Sequence, residues 1–117
     1  MATLHETAYP RLKPDPTAKE LDEIYTPSGG EVRHARSMAT QPTTQLAVLI
    51  HLKMFQRLGY FVILADVPER IRQHIAQAAG LRRALSIRDL NRYDVSGAKR
   101  AHMARLRKFL RVRPLDV

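Results

Sequence analysis

The chain has 117 residues, 44% of them hydrophobic, which suffices for one modest core and argues against two independent domains. Twenty Lys and Arg against eleven Asp and Glu leave a formal net charge of +9, a balance that favours polyanionic partners such as nucleic acid or anionic lipid. Cysteine is absent, which removes disulfide frameworks, thiolate zinc sites and thiol nucleophiles and agrees with a reducing, cytoplasmic setting.

In chain order, Pro10, Pro14 and Pro16 predict an extended arm over residues 1–16, because each ring fixes its own backbone and disfavours helix just before it. Residues 17–117 then form a single helical domain. Thr17 with Glu20 is a capping-box pair that starts a short helix ending near Tyr25, and Pro27 stops it. Ser28 with Glu31 repeats the pattern and opens a second helix to about Met38. From Pro42 to Leu58 apolar residues cover most of a helical circumference, the mark of a central buried helix, and Gly59 suits its C-terminal cap. Tyr60–Leu64 is a short apolar run with no second strand-like run to pair with, so it reads as a packed connector.

Asp66 with Glu69 and Pro68 predicts the start of a fourth helix with Val67, Ile71, Ile75 and Ala78 inward, closed by Gly80. Ser86 caps a fifth through Arg92, with Ile87 and Leu90 inward. A last helix runs from Ala98 to about Arg111, its apolar stripe made of Met103, Leu106 and Leu110. The expected fold is all-α, a small bundle of five to six helices. The helix, glycine turn and helix from Asp66 to Arg92 admit either a helix-turn-helix or an unrelated bundle, since Ser86 and Asp89 fall where an ungapped motif needs apolar residues.

Charge is distributed unevenly. Residues 1–69 hold seven Lys/Arg and eight Asp/Glu, while residues 70–117 hold thirteen and three. The twenty positions from Asn91 to Leu110 offset six Lys/Arg with Asp94 alone, whereas a merely solubilising surface mixes both signs. A basic amphipathic helix also suits a membrane surface, but Phe109 is the only bulky aromatic anchor it carries. Phosphate contact therefore ranks first. Tyr93, Asp94, Ser96 and Gly97 precede this helix where free amides can receive a phosphate, although an ordinary Ser cap with a glycine turn explains the same residues.

His5, His34, His51, His74 and His102 are widely separated with no pair at i, i+4, so they read as surface or half-buried side chains and not as metal ligands. No hydrolytic signature or phosphate-cradling glycine loop appears, and the acids cluster at helix starts where capping explains them. The residues give no ground for a cofactor, a metal, a small-molecule substrate or catalysis.

Several phrases, taken together and in order, resemble the N-terminal domain of Tn-three family replicative transposases. They are Thr7-Ala8-Tyr9-Pro10-Arg11, Leu21–Pro27, Lys53–Phe61, Val67-Pro68 with His74-Ile75, Gly80-Leu81, and Tyr93-Asp94 with Ser96-Gly97 running to His102. The resemblance implies a helical module that recognises the transposon's terminal inverted repeats, with the acidic metal-binding triad of strand transfer far downstream and nothing here to match it. It also implies a fragment of a much longer protein, bound to the nucleoid of a bacterium. Two departures fall in the last helix: Ala98-Lys99-Arg100 stands where relatives more often begin with Thr or Arg, and Arg111 stands where a glycine is common.

The expectation is thus double-stranded DNA as partner. Lys99, Arg100, Arg105, Arg107 and Lys108 contact phosphates, with Ser96, Gly97 and His102 at the start of the same helix. Base readout is expected from the Arg82–Arg92 segment, including Arg82, Arg83, Arg88 and Arg92, or from Gln73. The alternative is a regulatory fragment that pairs with full-length transposase; an RNA-binding role ranks third, because aromatics make up only 6% of the chain.

Overall fold

The computed structural model describes residues 14–112 together with Leu12, so most of the expected arm lies outside the described residues. Among the described residues the chain forms six α-helices and two single-turn 3-10 helices and no strand. The helices are α1 (Ala18–Tyr25), α2 (Gly29–Met38), α3 (Pro42–Leu58), α4 (Glu69–Ala78), α5 (Ile87–Asp94) and α6 (Gly97–Val112). The 3-10 turns, Leu64–Asp66 and Arg82–Ala84, fall before and after α4.

Both capping boxes form. Thr17 and Ser28 each accept the N–H of the residue three positions on, and Glu20 and Glu31 each accept the backbone N–H of the cap residue in return. Glu31 does more than cap. It is buried beside Lys53, whose ammonium donates to it at 3.2 Å, and the Gln56 amide donates at 2.7 Å. Burial alone would raise its pKa, but the Ser28 N–H, Gln56 and Lys53 together hold it below the ordinary value.

The centre of the molecule is α3, in which all nine residues from Leu46 to Met54 are buried. It packs against every other helix and both 3-10 turns, which is why its apolar residues ring the helix instead of forming one stripe. Each buried Leu or Ile there contributes on the order of 1.5–3 kcal/mol. The helix ends at Gly59 with φ 87, a left-handed conformation that suits glycine. Tyr60–Ile63 is the expected connector. It lays Phe61 against Phe55, ring centroids 4.7 Å apart.

The fourth helix starts later than its capping pattern predicts. Asp66 belongs to the preceding 3-10 turn, and α4 begins at Glu69 with Pro68 as its cap residue and no side-chain cap bond. The cause is Pro68 itself, which pushes Val67 out of the helical region, to φ −78 and ψ 128, so a helix cannot pass through position 67. Val67, Ile71 and Ile75 face inward as expected, but Ala78 is exposed and Ala76 and Ala79 are buried instead. Gly80, φ 72, closes the helix with a Schellman arrangement, Leu81 N–H to Ala76 O at 2.7 Å and Gly80 N–H to Gln77 O at 3.2 Å.

The unrelated-bundle alternative describes Asp66–Arg92 better than a helix-turn-helix. The 3-10 turn Arg82–Ala84 separates α4 from α5; α4 packs on α1 and α3, while α5 packs on α3, α6 and the turn Leu64–Asp66. The two helices are held mainly through α3 and not by crossing each other. On α5, Leu90 and Tyr93 are buried and Ile87 is 43% exposed, against expectation. Eight residues make two turns, and once Leu90 and Tyr93 define the inward face, Ile87 lies about 120° from Tyr93 around the axis.

Candidate nucleic-acid interface

The start of α6 is fixed by Asp94, the last residue of α5. Its carboxylate accepts the Leu64 N–H at 2.5 Å and His51 Nε2–H at 3.2 Å, and pairs with the Lys99 ammonium at 2.9 Å. One acid thereby ties α3, the turn Leu64–Asp66 and the first turn of α6 to α5. His51 is fully buried, contrary to the surface reading of the histidines, and burial pushes its pKa down from 6.5 to about 4 against the attraction of Asp94. It is neutral at pH 7, with Nε2–H as donor and Nδ1 buried without a partner among the described residues.

Tyr93 and Ser96 are likewise used internally. The buried Tyr93 hydroxyl lies 2.8 Å from His102 Nδ1, and its pKa is driven up, first by burial and then by Asp94. The Ser96 hydroxyl donates to Tyr93 O at 2.7 Å, closing α5. The side chains of Tyr93, Asp94 and Ser96 are thus all engaged within the fold, Ser96 by closing α5 and not by a side-chain cap of α6. His102, half-buried, has its pKa lowered by burial and by Arg105.

Ten Lys/Arg lie between Arg82 and Arg111, with Asp89 and Asp94 as the only acids. Among the described residues only Lys99 of these ten forms an ion pair. Of the expected phosphate contacts, Lys99 alone has an acid partner among the described residues, the buried Asp94 carboxylate. Arg107 lies with its guanidinium carbon 5.3 Å from the centroid of the Phe61 ring, a cation–π contact that holds the head group over that face. Arg100, Arg107 and Arg111, at spacings of seven and four, share one side of α6, and Arg105 and Lys108 are exposed on neighbouring faces.

Three grooves near the starts of α3 and α6 take up most of the remaining expected residues. Ser96, Lys99, Arg100 and Arg107 line one of about 470 Å³, floored by Phe61 and Met103. Arg92 and Ser96 line the next, whose opposite wall is Gln41, Thr43 and Thr44 at the start of α3. Arg82 and Arg83 line a third that reaches Pro42 at the same end of α3. His102 borders Gln41 and Thr44 from the other side. Gly97 is exposed as the first residue of α6, and Arg88 is exposed one turn before Arg92 on α5.

Gln73 does not join them. It sits on α4, its amide bonded to Glu69 at 2.8 Å, and lines none of these grooves. The residues that sequence reasoning missed are those at the start of α3. Gln41 makes no side-chain cap bond and Pro42 takes the first turn, so the α3 N-terminus opens onto the Arg92 groove with its positive dipole end uncovered. The Gln41-Pro42 pair carried that signal, a helix start without Ser, Thr, Asp or Asn.

The model of a protein family described as Domain of unknown function (DUF4158) matches residues 1–117, the whole chain. The chain belongs to this family. No curated protein and no solved structure matches. Among the described residues of this DUF4158 domain, no group of His, Cys, Asp or Glu could hold a metal ion, and no helix is long and apolar enough to cross a membrane.

Proposed function

We propose that this DUF4158 domain is a DNA-binding module of a transposase, of the Tn-three family type, that holds the transposon's terminal inverted repeats and leaves strand transfer to another part of the enzyme. The observation that carries the reading is the state of the cations: nine Lys/Arg from Arg82 to Arg111 have no ion-pair partner among the described residues. Uncompensated like charge on neighbouring turns destabilises a helix, and the penalty is relieved when phosphates approach. The grooves around the starts of α3 and α6 gather Arg82, Arg83, Arg92, Arg100 and Arg107, and Lys108 and Arg111 extend the surface along α6.

Fluorescence anisotropy with a labelled inverted-repeat duplex and a scrambled duplex tests the reading. If about six phosphates are neutralised, affinity falls roughly a thousandfold between ~50 and ~200 mM salt. Arg100→Glu with Arg107→Glu weakens binding to both duplexes and flattens the salt slope. A salt response near zero, or undiminished binding by the doubly reversed variant, refutes the proposal.

A further inference from the structure

Val95, in the turn between α5 and α6, is 85% exposed, more than Tyr60, Ile63 or Ile87, the other exposed large apolar side chains among the described residues. Among the described residues this side chain joins no part of the core. Its backbone, φ −101 and ψ 6, lies in the bridge region, where a β-branched residue has no conformational advantage. A polar residue or glycine is the ordinary occupant of such a corner.

Its surroundings are cationic. Val95 lies on the rim of the groove that holds Lys99, Arg100 and Arg107, and Arg92 is one turn earlier on α5. Lys99 is tied down by Asp94 and Arg107 is stacked on Phe61, so both are fixed in place beside a projecting isopropyl group. Phosphate contacts position a protein on a duplex and cannot read sequence; reading requires a group at a base edge. An apolar side chain has one distinctive partner there, the 5-methyl group of thymine in the major groove.

We infer that Val95 is a specificity-determining residue that packs on a thymine methyl group when duplex DNA lies across the α5–α6 corner. The inference rests on the DNA-binding reading above. It moves base readout away from Gln73, which is bonded to Glu69 on another helix, and onto the turn that leads into α6.

The experiment uses the full chain and a duplex that it selects from a randomised pool. Each thymine of the selected duplex is replaced in turn by deoxyuracil, which deletes only the methyl group. The expected result is one or two positions at which affinity drops about fourfold, the worth of one buried CH₂-sized group. Val95→Ala loses that dependence on the methyl group, keeps its affinity for scrambled duplex, and keeps its melting temperature because the side chain is exposed. A selected duplex with a flat deoxyuracil profile, or a Val95→Ala profile identical to the parent's, overturns the inference and leaves phosphate-mediated binding standing. Absence of any enriched sequence overturns it too, and absence of all duplex binding removes both readings.

Discussion

His51 gives the domain an acid-sensitive core. The ring is neutral and fully buried, donating Nε2–H to Asp94, with Nδ1 buried and bonded to nothing among the described residues. Its pKa falls from 6.5 in the unfolded chain to about 4 in the fold, so between these values the unfolded state binds more protons than the native one. Stability is therefore fully present above pH 6.5 and declines as pH falls through the window down to about 4. The gap, at about 1.4 kcal/mol per pH unit, amounts to about 3 kcal/mol, a large share of the 5–15 kcal/mol that ordinarily holds a domain together. Urea denaturation followed by circular dichroism across this range measures the slope, and His51→Leu isolates its source. The variant leaves Asp94 with Leu64 N–H and Lys99, and it retains His102, whose smaller effect has the same sign. The parent protein should lose stability at close to one proton's slope, and the variant at a much shallower one. Parallel curves for the two proteins would refute the assignment.

Other outcomes follow from the packing and the caps. Ile50→Ala, at a fully buried position of α3, lowers unfolding free energy by roughly 2–5 kcal/mol, read from the denaturant midpoint. Glu31→Ala strips a capping box and leaves Lys53 buried without its partner, at a cost of roughly 3–5 kcal/mol. Lys53→Met costs less, since Glu31 keeps the Ser28 N–H and Gln56; the ordering of the two midpoints checks the claim. At Gly59, where an added Cβ meets nothing within 4 Å but φ is 87, Ala costs about 1–2 kcal/mol through backbone strain alone, seen as a lower melting temperature.

Most of the helical architecture was legible because its signals are local. Thr17/Glu20 and Ser28/Glu31 announce two helix starts, Gly59 and Gly80 two ends, and the unbroken apolar circumference of 46–50 the buried centre. Where local signals conflict, the pattern misleads. Asp66 and Glu69 have capping spacing, but Pro68 between them forbids a helical Val67, and backbone sterics outrank a side-chain hydrogen bond. A lone histidine on an apolar helix does not reveal its partner, because Asp94 is 43 residues away. Lys99 lies only five residues from Asp94, yet its charge is plain in the sequence while the burial of its acid partner is not.

The candidate site shows the same division between what composition carries and what only the fold decides. Counting charges locates the cations in the second half of the chain, yet a count cannot separate a cation that is free from one that is spent. The separation depends on where the two acids of the segment go. Asp94 turns inward to the Leu64 amide, His51 and Lys99, and the half-buried Asp89 forms no ion pair among the described residues. Had Asp94 faced outward between Arg92 and Arg100, it would have paired with one of them and weakened the field at the start of α6. By drawing its acid into the core, the molecule builds the α5–α6 corner around Asp94 and leaves the surrounding guanidinium groups without an ion-pair partner among the described residues, the arrangement that the proposed phosphate contacts would use.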